Sequence, residues 1–119
     1  MVKAIIFDLE GTLAETESLH FKAHKRALAD FNIKITEEDY IKEGAYKKSG
    51  DFYLKMSKKY NKGLAEANIG KIKEAKKKYY IDLLNDVKLY PGVPELLNDL
   101  RQNYQIAIDS ICYDQRNNY

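Results

Sequence analysis

Two short apolar segments near opposite ends of the chain constrain the fold most. Val2–Phe7 is partly β-branched and stops abruptly at Asp8, and Gln105–Ile108 stops at Asp109. Apolar runs of this length with polar boundaries are typical of buried strands in a parallel sheet. Parallel neighbours need a crossover connection, and nearly the whole chain lies between these two segments. The sequence therefore predicts an α/β fold with a large insertion in the crossover.

The segment between the two strands has helical periodicity throughout. Apolar side chains recur at i, i+3 and i+4 spacing, and Thr36 to Asp39 resembles a capping box with Asp in place of Glu. Pro91 and Gly92 then form a turn before a last helix. The predicted helices run from Thr16 to about Asn32, from Thr36 toward Glu43, from Phe52 to Tyr60, from Leu64 to Asn85 and from Pro94 to Asn103, with a polar turn at Lys47 to Asp51.

Composition excludes several classes of protein. Of the 119 residues 45% are hydrophobic and 32% charged, which is not the composition of a disordered chain, and no apolar run approaches the roughly 18 residues of a bilayer span. The Ala4–Phe7 run is too short for a signal peptide, so we expect a cytoplasmic protein without a membrane partner. The single cysteine, Cys112, cannot form an internal disulfide.

Charge is distributed unevenly along the chain. Residues 14–89 hold 17 of the 20 Lys and Arg but only 12 of the 18 Asp and Glu. Such a basic segment suits either a small phosphorylated molecule or nucleic acid. Because the tyrosines follow helical spacing, we expect them to pack rather than to stack on bases, which disfavours nucleic acid. The lysines of the long helix are predicted on its solvent face: Lys73, Lys76, Lys77 and Lys78.

The first strand runs directly into an acidic glycine turn. In extended backbone the side chains of Asp8 and Glu10 point the same way, so two carboxylates converge just before Gly11. The carboxyl ends of parallel strands are where α/β folds bind their ligands. One carboxylate at such an edge can attack phosphorus or hold a metal while the other transfers protons.

With Ala4-Ile5-Ile6-Phe7 before it and Gly11-Thr12-Leu13 after it, this turn resembles the first motif of the haloacid dehalogenase superfamily. Tyr90-Pro91-Gly92-Val93 and the leucine-rich helix after it resemble the segment before the second motif, whose Ser or Thr falls on Ser110. The resemblance is greatest to beta-phosphoglucomutase and phosphoglycolate phosphatases. It implies the N-terminal portion of a Rossmann-like parallel sheet, with residues 1–15 and 88–119 as a partial core and 16–87 as a helical cap.

The same resemblance implies a role for each motif residue. Asp8 corresponds to the nucleophile that becomes an aspartyl phosphate, and Glu10 to the general acid and base. A Mg²⁺ ion would be held by the Asp8 carboxylate and the Glu10 carbonyl. The implied phosphate ligands are Gly11, Thr12 and Ser110, and the implied substrate contacts in the cap are His20, Lys47 and Lys48. His20 and His24 lie four residues apart, but without a third ligand they do not predict zinc.

The implied activity is Mg²⁺-dependent phosphoryl transfer, as a phosphatase or a sugar phosphomutase acting on a small phosphorylated metabolite. A response-regulator receiver domain would also use an acid pair after its first strand, but residues 14–89 offer no further strands of the kind it needs. The remaining alternative is a non-catalytic, truncated relative that serves as a binding or assembly module.

Three departures from the family pattern favour that alternative. Glu10 replaces an Asp, Asp109 stands where a small or apolar residue is usual, and the chain ends nine residues after Ser110. The family's third-motif Lys and fourth-motif acids would lie beyond that point. We therefore expect an incomplete sheet with open edges, completed by self-association or by another chain.

Overall fold

The structure is a computed structural model that describes residues 1–45 and 47–109. It contains two compact units, one formed by Met1–Glu17 with the chain from Asp86 onward, and one formed by Ser18–Asn85. The interpretation of these units as partial core and cap stays a prediction. No helix in the described ranges has both the length and the apolarity that a bilayer crossing requires.

The first unit is built on a parallel strand pair. Strand β1 (Ala4–Asp8) pairs with β4 (Gln105–Asp109), in register from Ala4 opposite Gln105 to Asp8 opposite Asp109. Helix α5 (Val93–Leu100) precedes β4, with Pro94 in its first turn. This arrangement confirms the α/β fold class.

A second, antiparallel ladder lies in the same unit. Strand β2 (Ala14–Glu15) pairs with β3 (Lys88–Leu89), a pairing that the sequence did not predict. Two-residue strands carry no periodicity, so the pattern of apolar residues could not reveal them.

The prediction that both strands of the parallel pair are buried is wrong. Ile6 is 72% exposed and Ile108 is 52% exposed, while Ile5 and Phe7 are half-buried. Among the described residues this sheet has only two strands, and a sheet this narrow encloses little apolar surface of its own.

All the regular secondary structure in the described residues of the second unit is helical, as predicted. Its helices are α1 (Glu17–Ala29, with Glu17 in the first unit), α2 (Glu37–Asp39) continued by a π-helical turn (Tyr40–Gly44), α3 (Ser49–Lys59) and α4 (Glu66–Leu83), which ends in a short 3₁₀ turn (Leu84–Asp86). One apolar cluster joins them: Ala27, Leu28, Ile33, Ile35, Tyr40, Phe52, Tyr53, Met56 and Ile72.

The predicted capping box at Thr36 is confirmed. The Asp39 backbone N–H donates to the Thr36 hydroxyl at 3.1 Å, and the Thr36 backbone N–H donates to the Asp39 carboxylate at 2.9 Å. The π-helical turn that follows ends at Gly44, where a Cβ atom would lie 2.6 Å from Cδ2 of Tyr40. That distance is too short for two carbon atoms, so a larger residue at position 44 would force the buried Tyr40 ring to move.

The buried stripe of α4 includes a lysine. It runs through Ile72, Lys76, Tyr80 and Leu83, and Lys76 is only 6% exposed. The prediction that Lys76 faces solvent is wrong. Its ammonium lies 4.7 Å from the centre of the Tyr80 ring, a cation–π contact that makes burial of the long side chain less costly.

A buried histidine connects α1 to α3. Nδ1 of His24 lies 2.8 Å from the Tyr53 hydroxyl, and the rings of Tyr40, Phe52 and Tyr53 surround the imidazole. Burial lowers the pKa of His24 well below its ordinary value, and the nearby charge of Lys76 and then that of His20 lower it further. His24 is therefore neutral in the folded unit at neutral pH.

We predict that this histidine makes stability depend on pH. In the unfolded chain it binds a proton below about pH 6.5, whereas the folded unit resists protonation, so stability falls as the pH drops below that value. Urea unfolding between pH 7.5 and 5.5 measures the effect. The variant His24→Gln, which keeps a side chain able to bond the Tyr53 hydroxyl, is expected to flatten the dependence; an equal slope in both proteins would contradict the prediction.

Candidate active site

The turn after β1 is held by its own backbone. The Leu9 carbonyl accepts hydrogen bonds from the N–H groups of Leu13 and Ala14, both at 3.0 Å. The Gly11 N–H donates to the Ala14 carbonyl at 2.9 Å, and Gly11 has a φ of +75°, a conformation that other residues rarely adopt. The sequence Glu10-Gly11-Thr12 thus folds back on itself immediately beyond Asp8.

Contacts to the far part of the chain anchor this turn. The Tyr90 N–H donates to the Leu13 carbonyl at 2.9 Å, and Ala14 pairs with Leu89 in the short ladder. Leu13 and Ala14 are both nearly inaccessible to solvent. The segment before α5 therefore fixes the position of the acidic turn.

The structure brings together the four predicted site residues at the start of the chain. Asp8, Gly11 and Thr12 are exposed and Glu10 is half-buried, so a solute phosphate can reach this end of the sheet. The Gly11 N–H is already bonded within the turn, and the Thr12 N–H faces the Leu9 carbonyl at 3.4 Å. A phosphate bound here would therefore depend more on the Thr12 side chain than on these two amides. The remaining predicted phosphate ligand, Ser110, lies outside the described residues.

Sequence reasoning did not count Asp109 among the site residues. The register places it directly opposite Asp8 at the carboxyl end of the neighbouring strand. Residues paired in this way in a parallel sheet point to the same face, about 4.8 Å apart. Each strand ends in an aspartate, but the sequence does not give the register that makes these two residues partners.

The three predicted cap residues lie in the helical unit. His20 is buried; its Nδ1 is 3.0 Å from the Lys76 ammonium, and its ring stacks on Tyr80 at 4.2 Å between centres. Lys47 is exposed and donates to the Lys42 carbonyl at 2.6 Å and to the Glu43 carboxylate at 3.3 Å. Lys48 is exposed at the N-cap position of α3. Their role in binding substrate stays a prediction.

The donors at the acidic turn suit a hard cation. Asp8 offers a carboxylate and Glu10 a backbone carbonyl, and oxygen is the ligand type that Mg²⁺ prefers. In the described ranges, no group of three or more His, Cys, Asp or Glu side chains could hold a metal. Mg²⁺ needs no such cage, because it commonly binds one or two carboxylates and keeps several waters. The turn therefore fits Mg²⁺ as a partial ligand set.

Sequence comparison shows the class of protein to which this strand and turn belong. The family of haloacid dehalogenase-like hydrolases matches residues 5–115, and the chain is a member of it.

Particular relatives agree with that assignment. Protein CbbY of Rhodobacter capsulatus is 32% identical over 101 residues, covering 82% of this chain and 44% of that protein. The phosphorylated carbohydrates phosphatase of Thermotoga maritima is 28% identical over 96 residues, covering 81% and 43%. The crystal structure of a predicted phosphoglycolate phosphatase from Haemophilus somnus has a TM-score of 0.73 at 28% identity, covering 92% of this chain and 51% of that one. The chain thus spans about half the length of the relatives that it matches.

Proposed function

We propose that this chain carries the nucleophile side of a phosphoryl-transfer site, acting as a Mg²⁺-dependent phosphatase or phosphomutase on a phosphorylated sugar. The observation that carries the proposal is the family match together with the exposed Asp8 at the carboxyl end of β1. The sugar substrate is supported by the Thermotoga maritima relative, a phosphatase of phosphorylated carbohydrates. A cytoplasmic location belongs to the same proposal.

In the first step, a carboxylate oxygen of Asp8 attacks the phosphorus of the substrate. An O–P bond forms to Asp8, the ester O–P bond breaks, and Glu10 donates a proton to the departing alkoxide. In the second step, the deprotonated Glu10 takes a proton from water or from a sugar hydroxyl, which attacks the aspartyl phosphate and releases Asp8. A phosphatase results when water is the acceptor and a phosphomutase when the sugar is.

The negative charges at the proposed site call for a bound cation. A carboxylate and a phosphate dianion repel each other, and Asp109 opposite Asp8 adds a further negative charge at the same edge. Bound Mg²⁺ would supply the positive charge that offsets this repulsion. The Thr12 hydroxyl can donate a hydrogen bond to a phosphoryl oxygen as charge moves onto it.

The exposed sheet favours a second candidate function, a binding or assembly module without catalysis. A hydrolysis assay of the 119-residue chain with Mg²⁺ and p-nitrophenyl phosphate separates the two functions. Release of p-nitrophenol that requires Asp8 supports the enzyme. If the folded chain does not hydrolyse the ester at any Mg²⁺ concentration, the result favours the binding module for these 119 residues by themselves.

We predict that shortening Glu10 speeds the proton transfers. Its extra methylene relative to the family's aspartate displaces the carboxyl group, and a displacement of about 1 Å can cost on the order of 10²-fold in rate. Glu10→Asp is expected to raise kcat by about tenfold, measured as steady-state release of p-nitrophenol. The matched change Glu95→Asp, on the exposed face of α5, should leave kcat unaltered. Equal rates for Glu10→Asp and the parent chain would mean that proton transfer by this residue is not limiting.

A further inference from the structure

Helix α4 carries a second stripe of side chains, separate from its buried one. Its positions alternate in steps of three and four residues, which is the spacing of the contact positions in a coiled coil. Most of these residues are exposed, and Lys77 is half-buried. Leu84 lies in the 3₁₀ turn that directly continues α4. We call this stripe the α4 seam, and its members are Ala67, Gly70, Glu74, Lys77, Ile81 and Leu84.

The two ends of the α4 seam differ in size. At the carboxyl end, Ile81 is 50% exposed and Leu84 is 38% exposed. At the amino end, Ala67 and Gly70 are small, and they line a groove of about 730 Å³ together with Glu74 and other residues of this surface. Bulky apolar side chains thus lie at one end of the seam, and space for such side chains lies at the other.

The chain's own packing does not explain the glycine in this seam. A glycine in the interior of a helix destabilises it relative to alanine. A Cβ atom at position 70 would have no side chain of the described residues within 4 Å, and the backbone there does not have a positive φ. Glycine permits a close approach by another backbone. A second molecule packed against α4 would account for this residue.

The α4 seam is complementary to itself when it is read in the opposite direction. If two copies of α4 pair antiparallel about a twofold axis, Ala67 faces Leu84 of the second copy and Gly70 faces its Ile81. The central residue Glu74 then faces Lys77 of the second copy. Each small residue receives a bulky one, each carboxylate meets an ammonium, and the symmetry makes every contact twice. Parallel pairing would instead bring like charges together at Glu74 and again at Lys77.

We propose that the α4 seam binds a second copy of this chain, in an antiparallel homodimer formed by the helical units. The size and charge complementarity of the seam identify the partner. A single pair of helices is a small interface, so the dimer is weak and depends on protein concentration. This inference does not depend on the proposed phosphoryl transfer.

Sedimentation equilibrium from micromolar to millimolar protein tests the association. We expect the mass to rise from 13.8 kDa toward twice that value. Ile81→Arg and Gly70→Glu should each raise the dissociation constant at least about tenfold. Because glutamate favours the helix more than glycine does, a loss of dimer in Gly70→Glu cannot be ascribed to unfolding. The matched control is Ile41→Arg, since Ile41 is 65% exposed in the same unit but lies outside the seam.

An exchange of charges tests the central contact. Glu74→Lys places a lysine opposite Lys77 of the second copy and should weaken the dimer. Adding Lys77→Glu to that variant restores opposite charges and should recover most of the lost affinity.

Cysteine cross-linking tests the antiparallel direction. With Cys112→Ser in both chains, a mixture of Ala67→Cys and Leu84→Cys should form a disulfide on oxidation. Neither variant should do so by itself, because equal positions of the two copies would lie about 25 Å apart. A chain that stays monomeric at millimolar concentration would overturn the proposal. So would a dimer that neither Gly70→Glu nor Ile81→Arg weakens, or a cross-link formed by Ala67→Cys alone.

Discussion

Replacing Asp8 by asparagine is expected to reduce phosphoryl transfer by at least about 10³-fold. The amide keeps the size and position of the side chain at the end of β1, but it cannot form the acyl phosphate that the mechanism requires. The measurement is kcat/KM for p-nitrophenyl phosphate in the presence of Mg²⁺. Rapid quenching with acid should trap a phosphorylated protein with the parent chain and none with the variant.

The control for this experiment is Asp99→Asn. Asp99 is an exposed carboxylate on α5, in the same unit, and takes no part in the acidic turn. Its replacement changes the net charge by the same amount, so a general charge effect on phosphate binding would appear in both variants. Activity that survives in Asp8→Asn would remove Asp8 from the mechanism and with it the proposed reaction.

The second large effect concerns the stability of the helical unit. Asp39 has a side chain that is 3% exposed, and its carboxylate accepts hydrogen bonds from the Lys59 ammonium, the Tyr60 hydroxyl and the Thr36 N–H. Asp39→Ala removes the shared acceptor and half of the capping box. Because bonds to a charged group are worth more than neutral ones, we expect a loss of about 2–3 kcal/mol in the free energy of unfolding.

The same carboxylate should make the unit sensitive to acid. Burial alone would raise the pKa of Asp39, but the hydrogen bonds from Lys59, Thr36 and Tyr60 hold that pKa far below its usual range. A lowered pKa adds stability that is present above the ordinary carboxyl pKa of about 3.9 and is lost as the pH falls below it.

Urea unfolding at pH 7 and at pH 3 measures both effects. The difference between the parent chain and Asp39→Ala should shrink at the lower pH. The matched control is Asp30→Ala, which removes an exposed acceptor of the Tyr79 hydroxyl in the same unit and should cost under about 1 kcal/mol. A loss no greater for Asp39 than for Asp30 would show that the buried carboxylate does not hold the helices together.

The sequence predicted those features that depend on local pattern. An apolar run that stops at Asp8 marks a strand end, and the spacing of Thr36 and Asp39 marks a helix start, because both signals lie within a few neighbouring residues. The proximity of Asp109 to Asp8 could not be read in the same way. It depends on the register of two strands about a hundred residues apart, and the sequence does not show which residues of the two strands are partners.

The error over Lys76 has a different cause. Charge and helical spacing both predicted solvent exposure, since buried lysines are rare. The tertiary contacts with His20 and Tyr80 override that preference. Helical spacing alone predicts only that these two rings pack in the unit, and it does not reveal that they contact a lysine.

The enclosure of Lys76 gives this chain a chemical reporter. Amine-directed acylating reagents attack lysines in proportion to their accessibility, so an ammonium that is 6% exposed reacts only when α4 moves away from its neighbours. Mass spectrometry can compare the rate at which Lys76 is acylated with the rate at the exposed Lys48. The ratio of these rates would measure how often the helical bundle opens while the rest of the protein remains native.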